Sequence, residues 1–262
     1  MRNLTVAFAQ TELQWEQPAD NRQQFEQLLI PVASDCDLLV LPEMFTTGFS
    51  MNALANAETP GGPTERWMQK LAADNDCAVA GSIAVTVGSD DEPAVYNRLL
   101  FVTPEETAVY DKRHLFRMAG EHKRYAPGIE RKVVHWRDWR IKLEVCYDLR
   151  FPVFSRNRDD YDLLVNVANW PAPRATHWRC LLQARAIENQ ACVVGVNRIG
   201  EDANGLSYQG DSLVFNGRGQ AVVDAQDKAG VFSTTLDAQA LLAYRENFPC
   251  HQDADAFSLD LA

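Results

Sequence analysis

The sequence predicts a single-domain α/β fold built on mixed β-sheets. Apolar runs rich in Val, Leu, Ile and Phe recur along the whole chain, and patterns typical of helices separate some of them. Strands that alternate with helices favour parallel pairing, whereas the consecutive runs at 77–87 and 96–102 favour an antiparallel pair. Pro and Gly are spread along the chain and no repeat is visible, so we expect one domain over residues 1–262.

The individual elements follow from apolar spacing. Nine runs are predicted to be strands, at 4–9, 37–42, 77–87, 96–102, 141–147, 162–167, 192–197, 213–215 and 231–235. A helix is predicted over 20–34 because apolar residues recur there at i, i+3, i+4 and i+7, namely Phe25, Leu28, Leu29 and Val32. Further helices are predicted from the Gly-Gly-Pro-Thr sequence at 61–64 to Asp74, and at 175–190 and 238–244.

Composition restricts the class of protein. Hydrophobic residues make up 46% and charged residues 23%, which is typical of a folded globule and argues against disorder. Acidic residues outnumber basic ones by 36 to 25, leaving a formal charge of −11, so we expect neither a nucleic-acid partner nor an anionic-membrane partner. No apolar run approaches the ~20 residues of a membrane helix, and the first ten residues read as a strand rather than a secretory signal.

The cysteines are scattered and do not form a metal-binding pattern. The chain has six of them, with no Cys-x-x-Cys pair and no His/Cys cluster at ligand spacing, so we expect no metal site. Without an export signal, reduced thiols in the cytoplasm are expected. Most of these cysteines should be small core residues, and one is a candidate nucleophile.

That candidate is Cys146, which stands where a predicted strand ends and the chain turns. It follows the apolar run that begins at Ile141, and Phe151-Pro152 would start a helix shortly after it. A residue at such a turn is held rigidly and exposed, as nucleophiles are. Backbone N–H groups at the start of the helix would favour a thiolate and an oxyanion. Because a strand cysteine most often serves only packing, a catalytic role requires partners.

Two further segments supply candidate partners. Glu43 ends an almost wholly apolar run, where a carboxylate is costly to bury without a partner; a strand-end glutamate facing water is the alternative. Lys112 lies between aromatic and aliphatic residues in Tyr-Asp-Lys-Arg-His-Leu-Phe at 110–116. Taken alone, it reads as an ordinary solvated lysine.

Together, these segments resemble the nitrilase superfamily of carbon–nitrogen hydrolases. The patterns Leu-Pro-Glu, Tyr-x-Lys-x-His-Leu-Phe and Cys-Tyr-Asp-Leu-Arg-Phe-Pro occur in the order of that family, around Glu43, Lys112 and Cys146. The match spans nearly the whole chain and includes Glu121 ahead of Ala-Pro-Gly and the stretch 166–189. The resemblance implies a four-layer αββα sandwich, with two mixed sheets facing each other and helices outside. It also implies a homodimer formed through the helices.

The resemblance also implies a role for each of these residues. Cys146 would be the nucleophile and Glu43 the general base that takes the thiol proton and returns it to departing ammonia. Lys112 would stabilise the tetrahedral oxyanion together with the backbone N–H of Tyr147. Glu121 would position Lys112 or the substrate amide. Neither the base nor the cation requires a metal or a cofactor.

The segment 41–51, Leu-Pro-Glu-Met-Phe-Thr-Thr-Gly-Phe-Ser-Met, resembles the omega-amidase branch of the superfamily. Such enzymes hydrolyse the terminal amide of small ω-amido 2-oxo acids, such as 2-oxoglutaramate and 2-oxosuccinamate. These substrates carry a distal carboxylate, so the pocket needs a cation, and Arg174 is our candidate; a surface arginine at a helix start is the alternative. Phe45 and Trp170 are expected to wall the pocket, although core packing would also explain them.

Other functions stay open at this point. Another aliphatic amide, a carbamoyl compound or a nitrile could be the substrate, and the chain could be a catalytically silent binding member of the superfamily. The intact Glu43, Lys112 and Cys146 argue against a silent member. A Cys–His nucleophile pair is a further arrangement of thiol hydrolases, but none of the five histidines lies in a segment that resembles a cysteine peptidase.

One position departs from the pattern of the superfamily. Four residues before the nucleophile the superfamily usually has a small residue, often glycine, and this chain has Lys142. Strand alternation would direct Lys142, Glu144 and Cys146 to the same face. Two charged groups beside the nucleophile strand would have to pair with each other or lie near its solvent-facing start.

Overall fold

Two six-stranded mixed sheets form the centre of the computed structural model, which describes residues 1–89 and 92–261. The strands are β1 (Leu4–Gln10), β2 (Leu38–Val40), β3 (Ala78–Ser89), β4 (Glu92–Val102), β5 (Thr107–Asp111), β6 (Val133–Trp136), β7 (Trp139–Val145), β8 (Leu163–Ala168), β9 (Cys192–Asn197), β10 (Ile199–Glu201), β11 (Ser207–Gln209), β12 (Leu213–Phe215), β13 (Ala221–Asp224) and β14 (Gly230–Leu236). The helices are α1 (Pro18–Ala33), α2 (Ala53–Asn56), α3 (Pro63–Asn75), α4 (Pro152–Ser155), α5 (Ala175–Asn189) and α6 (Ala238–Asn247).

The two sheets have the same pattern of pairing. The first has the order β14-β1-β2-β3-β4-β5 and the second the order β13-β12-β9-β8-β7-β6. In each, three central strands are parallel and the flanking strands are antiparallel. Most of the central strands are nearly continuous apolar sequences because both of their faces are covered; β7 is the exception, since it carries the buried Lys142 and Glu144.

Alternating residues of the central strands divide the core into layers. Val6 and Phe8 of β1 belong to the core between the sheets, together with Leu143 of β7. Ala7 belongs instead to the core beneath the outer helices, where Leu29 of α1 packs. Helix α5 covers the outer face of the second sheet, so the expected αββα sandwich is confirmed. Within the described part of the chain, no helix has the length and apolar character required to span a bilayer.

The nine predicted strands and the four predicted helices are all present, with boundaries that differ by a few residues. The sequence analysis missed five strands that are short and partly exposed, and therefore lack an apolar run: β5, β6, β10, β11 and β13. The prediction that a strand continues to residue 147 is wrong. Strand β7 ends at Val145, because Cys146 adopts a left-handed backbone conformation.

The two charged residues before the nucleophile pair with each other. Lys142 Nζ lies 3.1 Å from Oε1 of Glu144, and both side chains are fully buried. The ammonium also lies 4.2 Å from the centre of the Phe154 ring. Burial lowers the pKa of Lys142, although Glu144 opposes this effect. Since β7 ends before Cys146, strand alternation does not extend to the candidate nucleophile, and Lys142 has Glu144 as its ion-pair partner.

Candidate active site

Four polar side chains meet beyond the ends of strands. Glu43 follows β2, Lys112 follows β5 and Cys146 follows β7. Glu121 joins them from a single turn of 3-10 helix. Paired strands fix the position of the residues that directly follow them, so these groups come together although they are far apart in the sequence.

Lys112 lies between two carboxylates and has no contact with solvent. Its Nζ is 2.9 Å from Oε1 of Glu43 and 3.0 Å from each carboxylate oxygen of Glu121. All three side chains are fully buried. The ammonium also lies 5.1 Å from the centre of the Phe49 ring. Removing one member of such a group would leave an uncompensated buried charge, which typically costs about 3 to 5 kcal/mol.

Burial and mutual charge decide the protonation of these groups. Burial raises the pKa of the Cys146 thiol well above its usual range, and Glu43 raises it further. Burial opposes the charge of Lys112, but Glu121 and Glu43 together raise the pKa of the ammonium above its usual value. Burial also raises the pKa of Glu121, against the effect of Lys112. The resting site thus holds a protonated thiol beside a charged ammonium, and attack requires a base for the thiol proton.

Two asparagines hold the carboxylate of Glu43. Asn97 Nδ2 donates to its Oε1 at 2.7 Å, and the Asn169 backbone N–H donates to its Oε2 at 2.7 Å. The Asn169 carbonyl also lies 3.8 Å from Sγ of Cys146, which places base and nucleophile against the same residue. The sequence analysis named neither asparagine as a candidate. For Asn97 the available signal was a polar residue within a strand that is mostly apolar.

The candidate nucleophile Cys146 stands on a turn with an unusual backbone conformation. Residues Cys146–Arg150 form a short 3-10 helix, which we call the nucleophile turn, and Cys146 has φ of 47°. Met44, directly after Glu43, has φ of 42°. Such conformations are uncommon outside glycine, and they persist where surrounding contacts over-determine the backbone. Of the ten described non-glycine residues with positive φ, Cys146 carries a candidate catalytic group and Met44 adjoins one.

Asp148 fastens the nucleophile turn to the segment that carries the lysine. Its buried carboxylate accepts hydrogen bonds from the Val145 N–H at 3.0 Å, the Tyr110 hydroxyl at 2.7 Å and the His114 N–H at 2.9 Å. Burial alone would raise the pKa of Asp148, but the bonds from His114 and Tyr110 lower it below its usual value. The ionised carboxylate therefore holds the two segments in register.

A pocket of about 290 Å³ opens over the thiol. Its walls are mostly apolar, with a few polar groups, as is typical of sites for small molecules. Parts of five segments line it, namely 49–51, 116–119, 146–150, 169–174 and 202–208. Cys146 lines the pocket and the buried Glu43, Lys112 and Glu121 do not, so Cys146 is the member of the candidate cluster that a ligand in the pocket would meet.

Three of the four predicted pocket residues line this pocket. Tyr147, Trp170 and Arg174 all do so, and Trp170 Nε1 donates to the Arg174 carbonyl at 2.8 Å. The Arg174 guanidinium lies 5.4 Å from the centre of the Phe116 ring. The structure adds a second cation, Arg150, whose guanidinium lies 4.8 Å from the centre of the Trp170 ring. The position of Arg150, four residues after Cys146, was a signal in the sequence that could have identified it as a pocket residue.

Phe45 does not wall the pocket, so this expectation is wrong. Its side chain is fully buried in the core beneath the outer helices, where its ring lies 5.5 Å from that of Phe25 and 6.0 Å from that of Trp67. The left-handed turn at Met44 changes the direction of the chain and sends the next side chain toward that layer. Phe49 lines the pocket instead.

The cysteines are all free thiols, four of them buried. The two that are more accessible are Cys180, which is exposed, and Cys250, which is half-buried. Within residues 1–89 and 92–261, no group of three or more His, Cys, Asp or Glu side chains is arranged to hold a metal ion.

Comparison with known proteins identifies the family to which this chain belongs. The model of the carbon-nitrogen hydrolase family matches residues 5–246. "Omega-amidase YafV" of Yersinia enterocolitica is 48% identical over 261 residues, covering 99% of this chain and 100% of the relative. "2-oxoglutaramate amidase" of Bacillus subtilis is 31% identical over 255 residues, covering 95% and 96% respectively.

A solved structure agrees in fold and sequence. The CN-hydrolase superfamily protein XC1258 of Xanthomonas campestris, described with an arsenic adduct in its active site, superposes with a TM-score of 0.95 at 46% identity. The match covers 99% of this chain and 100% of that one. The buried carboxylates, lysine and thiol thus lie in a chain whose whole length matches such enzymes, and this protein belongs to the carbon–nitrogen hydrolase family.

Proposed function

We propose that this protein hydrolyses the terminal amide of small ω-amido 2-oxo acids, such as 2-oxoglutaramate and 2-oxosuccinamate, to the dicarboxylate and ammonia. The observation that carries the proposal is the contact of buried Glu43 and Lys112 beside a thiol that opens into a pocket with two arginines. The names of the relatives above support the same substrate class.

In the acylation step, Sγ of Cys146 forms a bond to the amide carbon while Glu43 takes the thiol proton. The carbonyl π pair moves to oxygen, and the oxyanion lies against Lys112 Nζ and the backbone N–H of Tyr147. When that pair returns, the C–N bond breaks. The nitrogen takes the proton from Glu43 and leaves as ammonia, so a thioester remains on the enzyme.

Deacylation uses the same groups. Water attacks the thioester carbon while Glu43 accepts one of its protons. The second tetrahedral intermediate collapses with cleavage of the C–S bond, and Glu43 returns the proton to Sγ of Cys146. The dicarboxylate departs and the thiol is restored.

Glu121 acts through the lysine. Both of its carboxylate oxygens lie 3.0 Å from Lys112 Nζ, which keeps the ammonium charged and fixes its direction. The side chain of Glu121 bonds to Lys112, Asn97 and the Phe116 backbone N–H, so we assign Glu121 a positioning role.

Substrate choice depends on the cations in the pocket. The distal carboxylate of a 2-oxo acid enters a protein with a formal charge of −11, and a local cation must offset that field. Arg174 lines the pocket and is our candidate for this contact. Arg150, whose guanidinium lies 4.8 Å from the centre of the Trp170 ring, adds a second positive charge.

We further propose that residues 1–262 act as one domain, as a homodimer in the cytoplasm, with no nucleic-acid or membrane partner. Apolar side chains on the outer helices support a contact between copies: Ile187 of α5 is 50% exposed and Leu242 of α6 is 41% exposed. The six free thiols agree with a reducing compartment.

Sedimentation equilibrium tests the dimer. We expect a mass of twice 29.4 kDa for the unmutated protein at micromolar concentration, and a shift toward the monomer for Ile187→Glu, because a charge would then be buried in the interface. A monomeric unmutated protein would contradict the proposal.

The catalytic roles are tested by Glu43→Gln and Lys112→Ala. Each should lower kcat for 2-oxoglutaramate by at least ~10²-fold, the first because the proton acceptor is lost and the second because the oxyanion loses its cation. Glu121→Gln should have a smaller effect. Ammonia release under single-turnover conditions provides the measurement.

Glu144→Gln is the matched control, since Glu144 is equally buried beside a lysine but lies outside the site. It should change the melting temperature more than kcat. A Glu43→Gln or Lys112→Ala variant that keeps its rate would refute the role of the substituted residue.

The substrate class is tested by ammonia release from 2-oxoglutaramate, from a neutral short amide and from the corresponding nitrile. The charged amide should be preferred and the nitrile should not react. Arg174→Ala should lower kcat/KM for 2-oxoglutaramate by about 10- to 150-fold, as expected for a lost hydrogen bond to a charged group, mainly through KM. The neutral amide should be affected little.

Arg179→Ala is the control, because Arg179 pairs with Asp211 and Asp224 on the outside of α5. Arg179→Ala should leave kcat/KM unchanged for both 2-oxoglutaramate and the neutral amide. If Arg174→Ala lowered kcat/KM equally for both substrates, Arg174 would have a structural role. If the unmutated protein did not prefer 2-oxoglutaramate over the neutral amide, its function would be that of a wider aliphatic amidase.

A further inference from the structure

Asn97 contacts three of the catalytic groups at once. It lies in β4 and is fully buried. Its Nδ2 donates to Oε1 of Glu43 at 2.7 Å and is 3.2 Å from Oε1 of Glu121. Its backbone carbonyl accepts the N–H of Lys112 at 2.9 Å. One residue therefore joins the base, the cation and the second carboxylate.

The orientation of the Asn97 amide is determined by its neighbours. The Met44 backbone N–H donates to Ser82 Oγ at 2.9 Å, so the Ser82 oxygen acts as acceptor there. The Ser82 hydroxyl then donates its single proton to Oδ1 of Asn97 at 2.8 Å. With Oδ1 occupied, Nδ2 must face the carboxylates. The reversed amide would bring its oxygen against Glu43, with two acceptors and no proton between them.

The site requires such a donor because its charges do not balance. Two carboxylates share one ammonium, Lys112, in a region without solvent. Each additional hydrogen bond to an ionised carboxylate favours its charged form. Asn97 and Lys112 both donate hydrogen bonds to Oε1 of Glu43. The other oxygen, Oε2, accepts the Asn169 backbone N–H and can face the thiol of Cys146.

We propose that Asn97 is a positioning residue that holds Glu43 and Glu121 ionised and oriented, and that Ser82 sets the direction of its amide. The inference rests on the proposed hydrolase function but not on the identity of the substrate. Asn97 touches no reacting atom, so its effect must appear in kcat and in the reactivity of the thiol rather than in KM.

The experiment compares Asn97→Ala, Asn97→Asp and Ser82→Ala with the control Asn166→Ala. Asn166 is also a fully buried strand asparagine, and its side chain has no hydrogen-bond partner among the described residues. Two readouts are used: steady-state kinetics on 2-oxoglutaramate, and the rate at which iodoacetamide alkylates Cys146, which needs no substrate.

We expect Asn97→Ala to lower kcat by about 10- to 100-fold with KM nearly unchanged, as for the loss of hydrogen bonds to charged groups. Alkylation of Cys146 should slow in parallel. Asn97→Asp keeps the shape of the side chain but places a third carboxylate in the site. Its kcat should therefore fall at least as far as that of Asn97→Ala. Ser82→Ala should show a smaller loss of the same kind, and Asn166→Ala should match the unmutated protein.

The pH profile distinguishes positioning from packing. The charged or titratable groups that face Glu121 are Lys112, Glu43, Cys146 and Tyr125. Removing the amide donor disfavours the ionised form of Glu121, whose pKa burial already raises, so the acid limb of kcat moves to higher pH in Asn97→Ala.

An Asn97→Ala variant with a lowered melting temperature but unchanged kcat, alkylation rate and acid limb would overturn the proposal. Retained activity in Asn97→Asp would overturn it as well. If the unmutated protein released no ammonia from any amide, the hydrolase function would fail, while the alkylation rates would still decide whether Asn97 positions the groups around Cys146.

Discussion

The structure depends on one buried ammonium between two carboxylates. Lys112 is the contact that Glu43 and Glu121 share, and all three side chains lie away from solvent. Removing a charge from water is costly unless it is paired and hydrogen-bonded. The surrounding segments supply such donors: Asn97 Nδ2 and the Asn169 backbone N–H bind Glu43, and the Phe116 backbone N–H binds Glu121. The same desolvation keeps the thiol protonated at rest, because burial raises the pKa of Cys146. Base and nucleophile must therefore act together.

The sandwich supplies the rigidity that this arrangement needs. Cys146, the proposed nucleophile, follows a central parallel strand, and Lys112 follows the edge strand of the facing sheet. Asp148 joins these segments with hydrogen bonds to both. Cys146 and Met44 both have a left-handed backbone conformation. Catalytic geometry thus comes from sheet ends and turns, while the pocket above them is built from loops.

Much of the fold and the central residues could be predicted from the sequence. The buried central strands are long apolar runs, so their existence follows from patterning, and the Glu43, Lys112 and Cys146 motifs were distinctive enough to be recognised. Asn97 was missed because its role depends on cross-strand neighbours that no local pattern reveals. Phe45 was misplaced because the turn at Met44 reverses the direction in which the next side chain points. Edge strands such as β13 were missed because exposed strands need no apolar run.

The central claim is that the buried cluster performs covalent thiol chemistry at Cys146. Intact-mass measurement of acid-quenched enzyme during turnover of 2-oxoglutaramate tests it directly, with Cys146→Ala as the matched control. The account predicts an adduct with the mass of the substrate less ammonia, located on the peptide that contains Cys146 and absent from the control. Ammonia release by the Cys146→Ala variant, or an adduct on the exposed Cys180 instead, would contradict it.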